Sequence, residues 1–271
     1  MTKAVRLIKE NLCKADIVIE VLDARIPLSS RNPMIGEITG KKPRLVVLNK
    51  ADLADPNLLA QWEKYLRTGE TVEVVQISAK TGKNLSQLIE KGKYLCRNMN
   101  WAGRRAVRAM VLGVPNVGKS AVINYLSGKG SRKVENRPGV TRDVSQAIKI
   151  SASMKVMDTP GILWHKFEDP AVGEKLAVLG SINDEILFRE DIAAKGIELF
   201  RTLYPKKLSE RFSLTEEDMK LDDYELLELI GRKRGCLVAG GKVDTEKASR
   251  ILLTEIRDGR ICRFCLEKPQ L

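Results

Sequence analysis

The sequence predicts an α/β fold built on a mostly parallel sheet, followed by an all-α region. Three observations carry this. Gly113-Val114-Pro115-Asn116-Val117-Gly118-Lys119-Ser120 is a glycine, four residues, then Gly-Lys-Ser, set between the apolar run Ala109–Leu112 and the helical stretch Ser120–Leu126. Strand, glycine loop and helix in that order form a phosphate-binding loop. Three further apolar runs, Leu45–Leu48, Val74–Ile77 and Met154–Met157, each end in polar residues, as buried parallel strands do where their carboxyl ends line a crevice. Beyond Trp164 the pattern is helical.

In chain order, Lys3–Lys14 predicts a helix with Val5, Ile8 and Leu12 on one face. Ile17–Leu22 reads as a strand ending in Asp23-Ala24-Arg25, where Asp23 and Arg25 serve either the strand end or a site. Arg31–Lys42 is a loop or helix leading to the Leu45 strand. Asn57–Leu66 and Leu85–Leu95 read as helices around a strand at Val72–Ile77. Later helices are expected at Ala171–Leu179, Glu190–Leu203, Tyr224–Ile230 and Thr245–Arg257. No Gly/Ser-rich linker intervenes, and the expected domains are residues 1–168 and 169–271.

The 271 residues suffice for one large or two modest domains. A formal net charge of +12 and a pI near 9.5 call for an anionic partner, nucleic acid before membrane. Five scattered cysteines suit a reducing compartment, so a cytoplasmic protein is expected. Cys262 and Cys265 have CxxC spacing, but no second pair completes a zinc site. No apolar run approaches a membrane span, and the first residues lack a signal-peptide core.

The chemistry of the loop explains its residue types. Glycines let the backbone N–H groups curl toward phosphates. Lys119 reaches the β- and γ-phosphates, and the Ser120 hydroxyl sits on Mg²⁺. With this loop, Asn49-Lys50-Ala51-Asp52, Ser78-Ala79-Lys80, Asp158-Thr159-Pro160-Gly161 and the Thr141 of Pro138-Gly139-Val140-Thr141 resemble the five motifs of the GTPase superfamily. Their order is rotated, with the guanine-reading pair first. The chain resembles a circularly permuted P-loop GTPase, with helices on both faces of the sheet and a C-terminal all-α domain. Permutation is tolerable because chain ends lie at the surface and often close together.

The resemblance implies a role for each position. Asp52 accepts from guanine N1–H and the 2-amino group, Asn49 helps hold the base, and Lys50 lies along its face. Within Ser78-Ala79-Lys80, the Ala79 N–H meets the guanine oxygen. Asn116, Val117, Gly118, Lys119, Ser120 and Ala121 surround the phosphates. Ser120, Thr141 and Asp158 hold Mg²⁺, Asp158 through water. Lys119, Thr141 and the Gly161 N–H meet the γ-phosphate and form the catalytic group.

Further stretches narrow the resemblance. Asp23-Ala24-Arg25-Ile26-Pro27, the phosphate loop as written, Asp158-Thr159-Pro160-Gly161-Ile162-Leu163-Trp164 and Arg234-Gly235-Cys236-Leu237 are similar to ribosome biogenesis GTPase A over nearly the whole length. That family implies a GTP- and GDP-binding factor, expected as a monomer. It binds the large ribosomal subunit precursor and its ribosomal RNA through the helical domain, and leaves on hydrolysis.

Many small GTPases orient water with a glutamine just after Asp-x-x-Gly. This chain has Ile162 there, so slow, assisted hydrolysis is expected. Asn116 resembles the asparagine that binds K⁺ in cation-dependent relatives; the plainer reading has it shape the loop. The family places Gly-His-Met near its start, and this sequence begins at the matching Met1. His165 is expected as an exposed loop residue. For RNA, Arg232, Lys233, Arg234 and Lys242 form a basic stretch without acidic residues. It reads as a helix-to-helix turn for phosphates or as a solvated turn. Arg97, Arg104, Arg105 and Arg108 lie in a linker that either touches a second polyanion or is solvated. An alternative function class is a nucleotide-gated scaffold for a protein partner.

Overall fold

The computed structural model describes residues 3–128, 147–164, 167–182 and 188–269. The chain divides into two compact units: Met1–Lys166 with Glu267–Leu271, and Phe167–Leu266. Among the described residues no helix is long and apolar enough to cross a membrane.

In the first unit, α1 (Lys3–Leu12) leads to β1 (Ile17–Asp23), α2 (Pro33–Thr39), β2 (Arg44–Asn49), α3 (Pro56–Leu66) and β3 (Val72–Gln76). Then come α4 (Leu85–Leu95), β4 (Val107–Leu112), α5 (Lys119–Leu126), β5 (Ile148–Ser151) and β6 (Met154–Met157). These strands form one sheet in the order β3-β2-β1-β4-β6-β5, and only the β5–β6 pairing is antiparallel among those described. The chain runs outward from β1 to β3, then returns to place β4 on the other side of β1. The reversal between β1 and β4 opens the crevice where such sheets bind ligands.

Strand alternation sorts the core onto two faces. Val18, Met110, Leu112 and Met157 pack with Val5 and Ile8 of α1 and Ile35 of α2. On the opposite face α4 lies so close that a Cβ on Gly92 would meet Met154 and the Ile17 side chain. Helices therefore cover both faces, and α1 buries the Val5 and Ile8 face with Leu12 partly buried. Residues 267–269 return to this unit. The Glu267 carboxylate accepts the N–H groups of Leu28 (2.8 Å) and Ser29 (3.1 Å) and the Ser29 hydroxyl.

The second unit is helical: α6 (Pro170–Val178), α7 (Arg189–Leu203), α8 (Pro205–Phe212), α9 (Asp223–Lys233) and α10 (Thr245–Arg257). Gly196 lets α7 approach α10, since a Cβ there would stand 2.9 Å from Ile256. Phe200 and Phe264 meet edge to face at 4.9 Å in its core. Arg257 reaches the Ala177 and Val178 carbonyls (both 2.9 Å) and closes the C-terminus of α6. Besides a short 3₁₀ turn at Asp218–Lys220, two elements lie outside the sequence expectation. β5 is only four residues long, and α8 follows α7 after the single residue Tyr204, with Pro205 at its first position.

Candidate nucleotide site

β4 delivers the phosphate loop. Gly113 has φ 152°, and a Cβ there would stand 2.5 Å from the Val21 carbonyl oxygen; Gly118 has φ 97°, and its Cβ would collide with the Asn49 amide. Conformation and close approach together demand glycine at both. Asn116 takes the left-handed region at φ 59°, which asparagine tolerates better than most side chains. α5 starts at Lys119, so its free N–H groups open onto the loop.

Lys119 is 7% exposed, and its ammonium donates to the Gly113 (3.1 Å) and Val114 (2.9 Å) carbonyls. Burial lowers its pKa to about 8, partly opposed by the Asp158 charge. A lysine depressed in the folded state sheds its proton earlier than in the unfolded chain. The cost of the buried charge is therefore full below pH 8 and fades as pH rises through that value. A phosphate held by Lys119 would require the ammonium, so above pH 8 its binding would take up a proton. We expect GDP affinity to fall about tenfold between about pH 7 and pH 9. Titration calorimetry in two buffers of different ionisation enthalpy checks this; flat affinity with no proton uptake would contradict it.

At the end of β6, Asp158 Oδ2 accepts the Ser120 hydroxyl (2.9 Å), and Oδ1 accepts the Thr159 N–H (2.9 Å). Thr159 donates its hydroxyl to the Val111 carbonyl (2.6 Å), fastening this end to β4. A hydroxyl and a carboxylate side by side beside the loop are hard oxygen donors that fit Mg²⁺. Gly161 lies against the loop: its Cβ would be 2.8 Å from Pro115 N and 2.9 Å from Pro115 Cα. Ile162 is 4% exposed and joins the α1–α2 core cluster. Its N–H donates to Gly113 O (3.3 Å), and its carbonyl accepts the Asn32 amide (2.9 Å). The side chain after Asp-x-x-Gly is thus packed in the core.

On the base side, Asn49 ends β2 and is buried. Its amide donates to Val117 O (2.7 Å) and its Oδ1 accepts the Ala79 N–H (3.0 Å). One side chain joins the phosphate loop to both base-side loops. The Ala51 N–H donates to Ile77 O (3.0 Å) and ties the second loop to the first. Asp52 is half-buried in the next turn, Ser78 is buried, and Lys80 is exposed. Lys50, at φ 62°, reaches Asp23 Oδ2 (2.8 Å). Val117 is buried, and Ala121 is half-buried in the first turn of α5. Thr141 and His165 lie outside the described residues.

The basic residues divide into engaged and open ones. Lys233 bonds the Ser213 carbonyl and approaches Asp218 (3.5 Å); Arg234 pairs with Glu255 (3.0 Å) and stands over the Phe212 ring. Arg232 and Lys242 are exposed. Arg232 and Lys233 close α9, and the stretch continues into a hairpin with Leu237 bridged to Val243. In the linker, Arg105 grips Asp16 with two 2.7 Å bonds, while Arg97 covers Tyr94 at 3.8 Å. Sequence reasoning missed Asn32, whose only signal is the Asn32-Pro33 helix start that makes it the cap of α2.

Four strand ends thus bring a phosphate loop, an Asp-x-x-Gly turn and two base-side loops to one sheet edge, in rotated order. The first unit is a circularly permuted P-loop GTPase domain. A family model described as 50S ribosome-binding GTPase matches residues 108–232. Ribosome biogenesis GTPase A of Bacillus cereus is 44% identical, over 100% of this chain and 92% of its own length. The protein of that name from Thermotoga maritima is 31% identical over 99% and 92%. The GNP-bound YlqF from T. maritima superposes with a TM-score of 0.71 at 27% identity, covering 99% of each chain. The chain belongs to the ribosome biogenesis GTPase A family.

Proposed function

We propose that this protein is a GTP-hydrolysing assembly factor that binds ribosomal RNA of the immature large ribosomal subunit and leaves on hydrolysis. The observation that carries the nucleotide part is Asn49, which joins the phosphate loop to both base-side loops. Asp52 accepts from the guanine edge. Lys119 leaves its loop carbonyls for the β- and γ-phosphates. Ser120, Asp158 and Thr141 would hold Mg²⁺, which would neutralise charge on the phosphate oxygens. The Gly161 N–H meets the γ-phosphate.

With Ile162 packed in the core, its side chain orients no water, and hydrolysis by the protein alone is slow. Asn116 would hold K⁺, which would supply positive charge at the phosphates, and the ribosomal particle would supply the rest. Exposed Arg232 and Lys242 carry the RNA contact in the helical unit; Lys233 and Arg234 support it from their internal ion pairs.

The test is GTP hydrolysis with and without large-subunit precursor particles, in K⁺ and in Na⁺. Particles and K⁺ together are expected to stimulate by about tenfold or more. Particle binding should weaken steeply with added salt, as phosphate contacts require. Hydrolysis indifferent to particles, with salt-insensitive binding, would shift the reading to a protein partner.

A further inference from the structure

The turn after β1 holds a charged cluster that the phosphate and metal chemistry leave unused. Asp23 and Arg25 are each 1% exposed. Their pairing is bidentate, Nε to Oδ1 at 2.9 Å and Nη2 to Oδ2 at 2.8 Å. Asp23 Oδ1 also accepts the Arg25 N–H (3.0 Å). A third member is added from the neighbouring strand end: the Lys50 ammonium donates to Asp23 Oδ2 at 2.8 Å.

Burial by itself would raise the Asp23 carboxyl, but the Arg25 and Lys50 charges outweigh it and hold it well below the usual carboxylate range. The same turn grips the adjacent residue through the backbone. Asp23 pairs with Asn49 in the β1–β2 register, and the Ala24 N–H donates to the Asn49 carbonyl (2.8 Å). Both residues of the Asn49-Lys50 pair are therefore held from β1. Lys50 is 24% exposed along its side chain and left-handed at φ 62°, a conformation that a residue with a side chain keeps only when its surroundings enforce it.

We propose that Asp23, backed by Arg25, is a positioning residue for the guanine site: it pins the Lys50 ammonium so that the lysine stem stands as a fixed ledge for the purine face. This rests on the reading of Asn49-Lys50-Ala51-Asp52 as the base-side loop. An unpinned lysine stem samples many rotamers, and ordering it on binding weakens affinity. The pin removes that cost before the nucleotide arrives. It touches no base-specific atom, so its effect is on retention of any purine, while choice among purines stays with Asp52.

The experiment follows release of a fluorescent GDP from the full chain, with thermal unfolding of the nucleotide-free protein alongside. Asp23→Asn is expected to speed release by about tenfold, the effect of one charge-assisted hydrogen bond. Lys50→Met, which keeps a stem but has no ammonium to pin, should speed it equally. In the Lys50→Met background Asp23→Asn should add nothing. Equal, independent factors from the two changes would overturn the proposal. So would unchanged release in Asp23→Asn beside a lowered unfolding temperature. If Asp23→Asn does not fold, Lys50→Met against Lys50→Ala decides. Loss in both supports the pin, and wild-type release in Lys50→Met overturns it. An Asp52→Asn variant that keeps its guanine preference would instead remove the base-site reading itself, a separate result.

Discussion

Asp52→Asn is expected to turn the preference of this protein from GTP to xanthosine triphosphate. Asp52 lies half-buried in the turn after Lys50, and the Ala51 N–H bond to Ile77 O (3.0 Å) holds that turn against the end of β3. In the proposed site its carboxylate accepts from guanine N1–H and the 2-amino group. Xanthine carries a carbonyl in place of the amino group, so a donor is needed where Asp52 offers an acceptor. Asparagine supplies that donor and leaves the guanine amino group facing another N–H. Sites that strand a polar group in this way discriminate by about 10⁴. Competition of the two triphosphates against a fluorescent guanine nucleotide measures the change. Unchanged GTP affinity in the variant would remove Asp52 from the base site.

Gly161→Ala is expected to slow hydrolysis by about 10² to 10³ while leaving GDP bound. The added methyl would sit 2.8–2.9 Å from Pro115 N, Cα and Cγ. The phosphate loop is braced at Val117 by Asn49 (2.7 Å) and threaded by the Lys119 bonds, so the turn at Gly161 is the part that gives way. In the proposed site its N–H then leaves the place of the γ-phosphate, and losing one such donor costs about 10² to 10³ in rate. GDP lacks that phosphate and should bind as before. Single-turnover hydrolysis and GDP affinity on the same preparation separate the effects. Equal losses in both would mean that the methyl had deformed the phosphate loop instead.

The strand ends were legible because most obey one rule: an apolar run, then a polar residue with a task. Asn49 closing β2, Ser78 beyond β3 and Asp158 after β6 follow it, while after β4 a glycine, Gly113, takes that place. The helical second unit was legible from periodicity, except where α7 and α8 run together through Tyr204 and Pro205. β5 escaped because Ile148–Ser151 is short and half-exposed at the sheet edge. What sequence could not show was pairing. Arg234 reads as a free basic residue until Glu255, 21 positions later, is seen beside it. Ile162 reads as a missing glutamine; its burial beside Val5 and Ile8 depends on contacts made across the sheet. Asp23, Arg25 and Lys50 come together only because β1 and β2 are neighbours in register.

The carboxylate of Glu267 on the amides of Leu28 and Ser29 changes what kind of object the helical unit is. It is a cassette spliced into the GTPase fold, entered at Phe167 and left at Leu266. In polymer terms it is a closed loop, and loop closure grows costlier by only about 0.6 kcal/mol for each doubling of length. The insert can therefore lengthen or shrink at little expense to its host while both splice points stay. A cut after Lys166 is then a different operation from excising residues 167–266. The cut also removes the acceptor at Leu28 and Ser29, whose loss costs about 1–3 kcal/mol. A clean excision keeps that clasp and returns the host with its last segment in place.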